Sequence, residues 1–391
     1  GTFQDSGNPV TGANPNGTFT AGATMFPYFN NGTSITVNLN CGQRPFASTP
    51  PTGFKALNTF NLTTPTVTQS NKHFDVTTFT GNASTNVIVN SGLMQPDMVW
   101  LKSRTNANNH TLFDSVRGVN NLLYPNLTNQ AATGTAQLTS FNSNGFTLGA
   151  SENSNDSFGE LSVGWQWKES VSAGFDILTY TGNGGTGASS QYVNHNLGVT
   201  PNLIITKVRS SGATYPSWYV YLSAVQSGNF AYYGILNSSN PWSTGSSPYQ
   251  LWTANSTQIA FNETANESGK DYVAYVFAEV AGYSKFGSYT GTGAGDSNGP
   301  FIYCGFRPAL IIIKVDTAGY NWAMMDTDRP GYNAISYRLF SDNPNEEVTV
   351  GDPQLDFLSN GFKLRAGNAN YAGTAYFMAF AESPFKYSNA R

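Results

Sequence analysis

Three glutamates and three lysines recur at matching places in this 391-residue chain and are its first candidates for chemistry. Glu169, Glu279 and Glu382 each close an aromatic strand, as in Gly164-Trp165-Gln166-Trp167-Lys168-Glu169. Lys102, Lys207 and Lys314 each close an apolar run that begins at a proline, Pro96, Pro201 or Pro308. One such carboxylate could serve as a general acid. Three copies in the same place read as scaffold, because a charge at the end of a half-buried strand needs a partner. The expected partners are Lys102–Glu169, Lys207–Glu279 and Lys314–Glu382, each within one repeat. A second pattern, Asp114-Ser115-Val116-Arg117 and Asp326-Thr327-Asp328-Arg329, places Asp and Arg three residues apart. Leu222 stands where the middle copy would have its Asp, so the pattern reads as a turn clamp present in two copies of three.

Other chemistry finds less support. Asp326 to Gly331 opens like a calcium loop but has Pro330 where an oxygen ligand belongs and no glutamate at the twelfth place. Asp296-Ser297-Asn298-Gly299 is shorter still. His73, His110 and His195 are scattered and have no metal-ligand or triad spacing. Glu346 and Glu347 are adjacent in a polar stretch and read as a solvated turn, not as two acids facing across a cleft. Catalytic residues, metal ligands and cofactors are therefore expected to be absent, and the chain is read as a non-enzyme. Aromatic residues crowd the middle of the chain. Trp218, Tyr219, Tyr232, Trp242 and Trp252 are the candidates for stacking on a glycan, although sandwich cores and oligomer interfaces also use such side chains.

The elements that hold these residues are copied three times. Thr78-Phe79-Thr80-Gly81, Thr179-Tyr180-Thr181-Gly182 and Ser288-Tyr289-Thr290-Gly291 each open a repeat of about a hundred residues. That period is domain-sized and longer than the roughly 20–50 residues of a solenoid unit. Short β-branched and aromatic runs alternate with Gly/Asn/Ser clusters. Asn-Gly steps precede Phe146 and Phe362, and no window sustains a helical period. The fold class expected is all-β: three tandem β-sandwich repeats over 73–171, 172–282 and 283–391. A partial β segment at 1–62 and a linker at 63–72 precede them. Segments 118–136 and 236–250 are too long for hairpins, and loops of that length usually carry binding surface or subunit contacts.

Composition narrows the function classes. Charged residues make up 11% of the chain and aromatics 14%, the opposite of a disordered balance. The net charge of −4 and the lack of a Lys/Arg cluster argue against a nucleic-acid partner. No apolar run approaches the roughly 20 residues of a membrane helix, so no membrane insertion is expected. Cys41 and Cys304 lie in different segments and are expected to stay unpaired.

Two resemblances follow from particular residues. Met25-Phe26-Pro27-Tyr28-Phe29, Val37 to Phe46, and Pro50-Pro51-Thr52-Gly53-Phe54 resemble the closing strands of a SPRY domain, a concanavalin-like sandwich, with Leu39 and Cys41 departing from the usual pattern. Only the last third of such a domain fits there, so the resemblance implies a larger protein upstream. Gly282 to Gly291, Gly305-Phe306-Arg307-Pro308-Ala309, Asn321-Trp322 and Ala379 to Phe385 resemble tandem modules of large structural proteins in marine tailed bacteriophages. That resemblance implies a virion location, in a tail fibre or similar external appendage that attaches to the host surface. It also implies a homotrimer, other virion proteins as partners, and a glycan or protein receptor. The competing expectations are a capsid decoration protein, a tailspike depolymerase and a secreted lectin-like adhesin.

Overall fold

The computed structural model describes residues 65–382, apart from 226–231, 245–250, 252, 294–298, 330–332, 350 and 352–353. All of these belong to one compact unit, 65–391. The SPRY-like segment 1–62, with Cys41, and most of the Asp296 turn lie outside the described residues, as does Trp252.

The described residues contain strands and short 3-10 turns but no α-helix, so the chain is all-β as expected. The strands fall into three sets of nine. The first repeat holds β1 Phe74–Thr80, β2 Asn86–Val89, β3 Met98–Ser103, β4 Thr111–Asp114, β5 Asn121–Leu122, β6 Ala132–Thr133, β7 Leu138–Asn142, β8 Gly145–Leu148 and β9 Leu161–Trp167. The second holds β10 Phe175–Thr181, β11 Gln191–Asn194, β12 Leu203–Val208, β13 Trp218–Leu222, β14 Tyr232–Ile235, β15 Ser243–Thr244, β16 Thr253–Ala254, β17 Gln258–Phe261 and β18 Asp271–Phe277. The third holds β19 Ser284–Gly291, β20 Phe301–Tyr303, β21 Pro308–Val315, β22 Ala323–Asp326, β23 Tyr337–Phe340, β24 Val348–Thr349, β25 Leu355–Leu358, β26 Gly361–Leu364 and β27 Gly373–Ala381. In the second and third repeats a large sheet runs β10-β18-β12-β13-β14-β15 and β19-β27-β21-β22-β23-β24. The first repeat has the same order, β1-β9-β3-β4, with the β5-β6 pair joined to β4 through a Leu112–Leu123 bridge. A three-stranded sheet, β2-β8-β7, β11-β17-β16 or β20-β26-β25, completes each sandwich.

The repeated sequence signals have local causes. At Gly81, Gly182 and Gly291 an added Cβ would meet a facing carbonyl oxygen at 2.7, 2.4 and 2.1 Å, so the turn after the first strand admits only glycine. An asparagine side chain pins that turn in every copy. Asn155 Oδ1 accepts from the Asn82 amide, Asn266 Oδ1 from the Asn183 amide, and Asn370 Oδ1 from the Thr292 amide. The apolar runs ahead of the lysines become the central strands β3, β12 and β21, buried along their whole length. Central strands are covered on both faces, which is why these runs are continuous and do not alternate.

The three sandwiches do not stand in a row, as tandem modules were expected to. One buried cluster draws side chains from all of them. Phe74 of the first repeat stacks on Phe380 of the third at 5.2 Å between ring centroids. Phe277 of the second meets Phe380 at 5.6 Å and Phe286 at 6.2 Å. Trp167, Phe277 and Phe380 hold the same place in their repeats, two residues before the closing glutamate. The repeats therefore close on a shared aromatic centre, the first touching the third as well as the second.

Candidate functional site

The seams between repeats gather the residues that the sequence had marked for chemistry, and the same contacts recur at each seam. The residue four places before Asp114, Leu222 or Asp326 is His110, Trp218 or Trp322. Trp218 Nε1 donates to the Tyr124 carbonyl of the first repeat at 2.9 Å, and Trp322 Nε1 donates to the Ile235 carbonyl of the second at 2.9 Å. His110 closes the ring, its Nε2 lying 2.9 Å from the Phe340 carbonyl of the third. Trp100 Nε1 donates to His110 Nδ1 at 2.9 Å. Nδ1 must then carry the lone pair, so the proton is on Nε2 and donates to Phe340, as an indole N–H would. Burial pushes the His110 pKa down to about 3, which keeps the ring neutral.

A second contact is also threefold. Seven residues beyond those acceptor carbonyls, the backbone N–H of Ala131 donates to the Arg209 carbonyl, that of Trp242 to Asp316 Oδ1, and that of Glu347 to the Arg104 carbonyl. The long segments 118–136 and 236–250 thus carry contacts between repeats of one chain.

The lysines and glutamates do not pair as expected. Antiparallel register sets Lys102 opposite Val163, Lys207 opposite Val273, and Lys314 opposite Tyr376. Each closing glutamate lies six residues further along, about 20 Å at strand rise. The ammonium groups instead cap carbonyls beside a seam. Lys207 Nζ donates to Thr128 O of the first repeat at 3.0 Å and to Pro216 O at 2.6 Å. Lys314 Nζ donates to Ser239 O of the second repeat at 2.9 Å and to Tyr320 O. Lys102 Nζ donates to Ser103 O and Asn106 O within its own repeat. Burial lowers their pKa values, to about 7 for Lys207 and about 8 for Lys102 and Lys314. Glu279 pairs with Lys285, and Glu382 with Arg307.

The Asp–Arg clamps are present as read. Arg117 Nε meets Asp114 Oδ2 at 2.5 Å, and Arg329 Nε meets Asp326 Oδ2 at 2.8 Å, all four side chains buried. The sequence could not show that the neighbouring repeat engages each clamp. Tyr275 of the second repeat donates its hydroxyl to Asp114 Oδ2 at 2.7 Å, and Trp165 of the first donates Nε1 to Asp326 Oδ2 at 3.0 Å. At the remaining seam the corresponding residues are Leu222, Val225 and Met378, all apolar. Asp326 and Arg329 form a clamp, and Pro330 and Gly331 of the calcium-loop reading lie outside the described residues. Glu347, expected as part of a solvated turn, bridges Arg104 at 2.8 Å and Arg329 at 3.0 Å and so ties the third repeat to the first.

The aromatic set expected to stack on glycans is mostly inside the molecule. Trp218, Tyr219 and Trp242 are buried and cannot stack on a ligand from solvent, and Tyr232 is half-buried. Tandem aromatics there serve the seams: Trp242 lies 5.9 Å from Trp322 and 4.9 Å from Tyr376 of the third repeat. Among the described residues the most exposed aromatic rings are Phe158, Tyr192, Phe301, Tyr303 and Tyr371.

Two seams hold clefts. Between the first and second repeats, about 420 Å³ is lined by Asp97, Glu169, Asp176 and Asn196 among others. Between the third and first, about 200 Å³ is lined by Asp75, Asp328 and Glu382 with Phe74 and Ala309. Glu169 and Glu382 correspond, as do Asp176 and Asp75, so the clefts are two versions of one place. Burial and the neighbouring Asp176 push the Glu169 pKa up to about 7. Among the described residues no group of three His, Cys, Asp or Glu side chains could hold a metal ion. Cys304 is buried and free.

No curated protein matches this sequence. A family model, described as a domain of unknown function (DUF7483), matches residues 69–384, which takes in all three repeats and their seams. The chain belongs to that family.

Proposed function

We propose that this chain is a structural component of a virion appendage that takes part in attachment to the host surface. The observation that carries the reading is the closed ring of three sandwiches, whose buried polar and aromatic groups are committed to joints between repeats. The phage-module resemblance of the repeats gives that body its context, and the low charge suits a surface built from amides and hydroxyls. Receptor contact falls to the aromatic side chains left outside, above all Phe301, Tyr303 and Tyr371 of the third repeat, which offer apolar faces beside polar loops. The homotrimer that the resemblance implies would join such rings through their outer surfaces, since the apolar faces of the repeats meet within one chain. Gold-labelled antibody against residues 65–391, imaged on intact particles, is expected to mark an external appendage, and added purified chain is expected to slow particle adsorption. Particles without label, or adsorption unaffected by excess chain, would rule the reading out.

A further inference from the structure

The three seams meet one electrostatic problem and solve it differently. Between the second and third repeats, Glu279 reaches across to β19. Its Oε2 takes the Lys285 ammonium at 2.8 Å and its Oε1 accepts from the Phe286 amide at 2.8 Å. Between the third and first, the residue in the place of Lys285 is Asp75, and Glu382 turns back to pair with Arg307 of its own repeat. Between the first and second, the residue in the place of Lys285 is Asp176, and the residue in the place of Arg307 is Gln95. Glu169 therefore faces a second carboxyl, Asp176, in the cleft at this seam, and Asp97 lines the same cleft.

The surrounding groups supply no compensating cation. Asp97 Oδ1 accepts from Ser115 Oγ and Oδ2 from the Glu169 amide. Asp176 accepts from the Ile177 and Asn196 amides. Asp114, at the end of β4, adds negative charge, and its own cation Arg117 is held in the clamp. Lys168, adjacent to Glu169 in the chain, acts electrostatically on His73. His195, at the end of β11, bonds the Asn255 carbonyl through Nε2 and accepts the Leu197 amide on Nδ1, which fixes it as neutral. Carboxyl groups gathered in one half-buried cleft disfavour ionisation, so Glu169 holds its proton to higher pH than usual.

We infer that the seam between the first and second repeats is a proton-operated joint, closed while Glu169 keeps its proton beside Asp176 and loosened when that proton leaves, whereas the seam between the second and third, held by Lys285, stays closed. The sign follows from linkage. The Glu169 carboxyl titrates near 7 in the folded chain, above its ordinary 4.5. Its contribution is complete below about pH 4.5 and is lost as pH rises through about 7. With allowance for the solvent screening of a half-buried group, this changes the opening equilibrium by on the order of 10-fold between pH 5 and pH 8.

Hydrogen exchange on the full chain tests the joint, read as protection factors so that intrinsic rates cancel. The amides of Ile177 and Asn196 are expected to lose about 10-fold protection between pH 5 and pH 8, while Phe286 at the next seam holds steady. Glu169→Gln should flatten the pH response. Asp176→Lys copies the neighbouring seam and should hold Asn196 and its surroundings protected at pH 8, which keeps the test informative should the first variant fold poorly. Equal loss at both seams, no loss at either, or protection governed by added calcium instead of pH would overturn the proposal.

Discussion

At the scale of single residues, the buried clamps are the sharpest test of the seams. Asp326 neutralises Arg329 and accepts the Trp165 indole from another repeat. Asp326→Asn leaves the buried Arg329 guanidinium with Glu347 as its remaining carboxylate partner, a loss of about 3 kcal/mol, the low end for a broken buried pair. Chemical denaturation should register this as a lower midpoint. The middle repeat shows what replaces a clamp: Leu222, Val225 and Met378 stand where Asp, Arg and the engaging aromatic stand elsewhere. A triple variant Asp114→Leu, Arg117→Val, Tyr275→Met copies that solution. It should come within about 2 kcal/mol of the parent, because apolar replacement of a whole buried ion pair is often near neutral while removal of one member is not. A triple variant as damaged as Asp114→Asn alone would show that the clamps do more than fill the seam. His110→Phe is expected to cost about 1–3 kcal/mol, since the Phe340 carbonyl and the Trp100 indole both lose a partner. That deficit should be constant from pH 7 to pH 9, because the ring is neutral throughout.

At the scale of elements, the ends of the central strands set the alkaline response. Lys207 closes β12 with its ammonium buried against two carbonyls, and burial brings its pKa to about 7 from 10.5. Between those values the unfolded chain binds more protons than the folded one, so this group makes stability rise with pH. Lys207→Met should flatten the slope of melting temperature against pH from 7 to 9. It should also lower the melting temperature at pH 9, where Thr128 and Pro216 lose their donor. What the sequence revealed about these elements divides by range. The strands, the Thr-Gly turns and the Asp–Arg clamps were legible because each is a short pattern whose cause lies within a few residues. The Lys–Glu pairing was not, because it depends on antiparallel register: lysine and glutamate both end strands, but those ends point opposite ways. The tandem aromatics misled for a related reason. Trp218 and Trp242 look like surface residues in a polar sequence, but each also packs against or bonds a neighbouring repeat, a contact no local pattern reveals. Glu347 lacked any local signal, because its partner Arg104 lies 243 residues away.

At the scale of the whole molecule, ring closure separates this architecture from the row of modules that the repeats suggested. In a row the first and third repeats would not meet, and each sandwich would unfold by itself. Here Phe74 stacks on Phe380, Trp165 bonds Asp326, and Arg104 bonds Glu347. Removing the third repeat would strip the core of Phe286, Phe380 and Met378, so residues 65–282 alone should lack a cooperative transition. The full unit should melt in one step, with calorimetric and van't Hoff enthalpies in agreement. Closure also places the two ends of the ring together. The first repeat passes to the second through residues 168–174 and the second to the third through 278–283, and the gap from Ala381 back to Phe74 is the third such passage without a chain crossing it. A linker of about seven residues from Glu382 to His73, with the chain opened after Val171, would reorder the repeats as second, third, first and keep every seam. That permutant should fold with the parent's melting temperature to within a few degrees and with the same pH-dependent exchange at Asn196. A row of independent sandwiches would also tolerate the reordering, but it would melt in separate steps and would keep folding when the third repeat is deleted. The permutant and the deletion measured together distinguish a ring from a row.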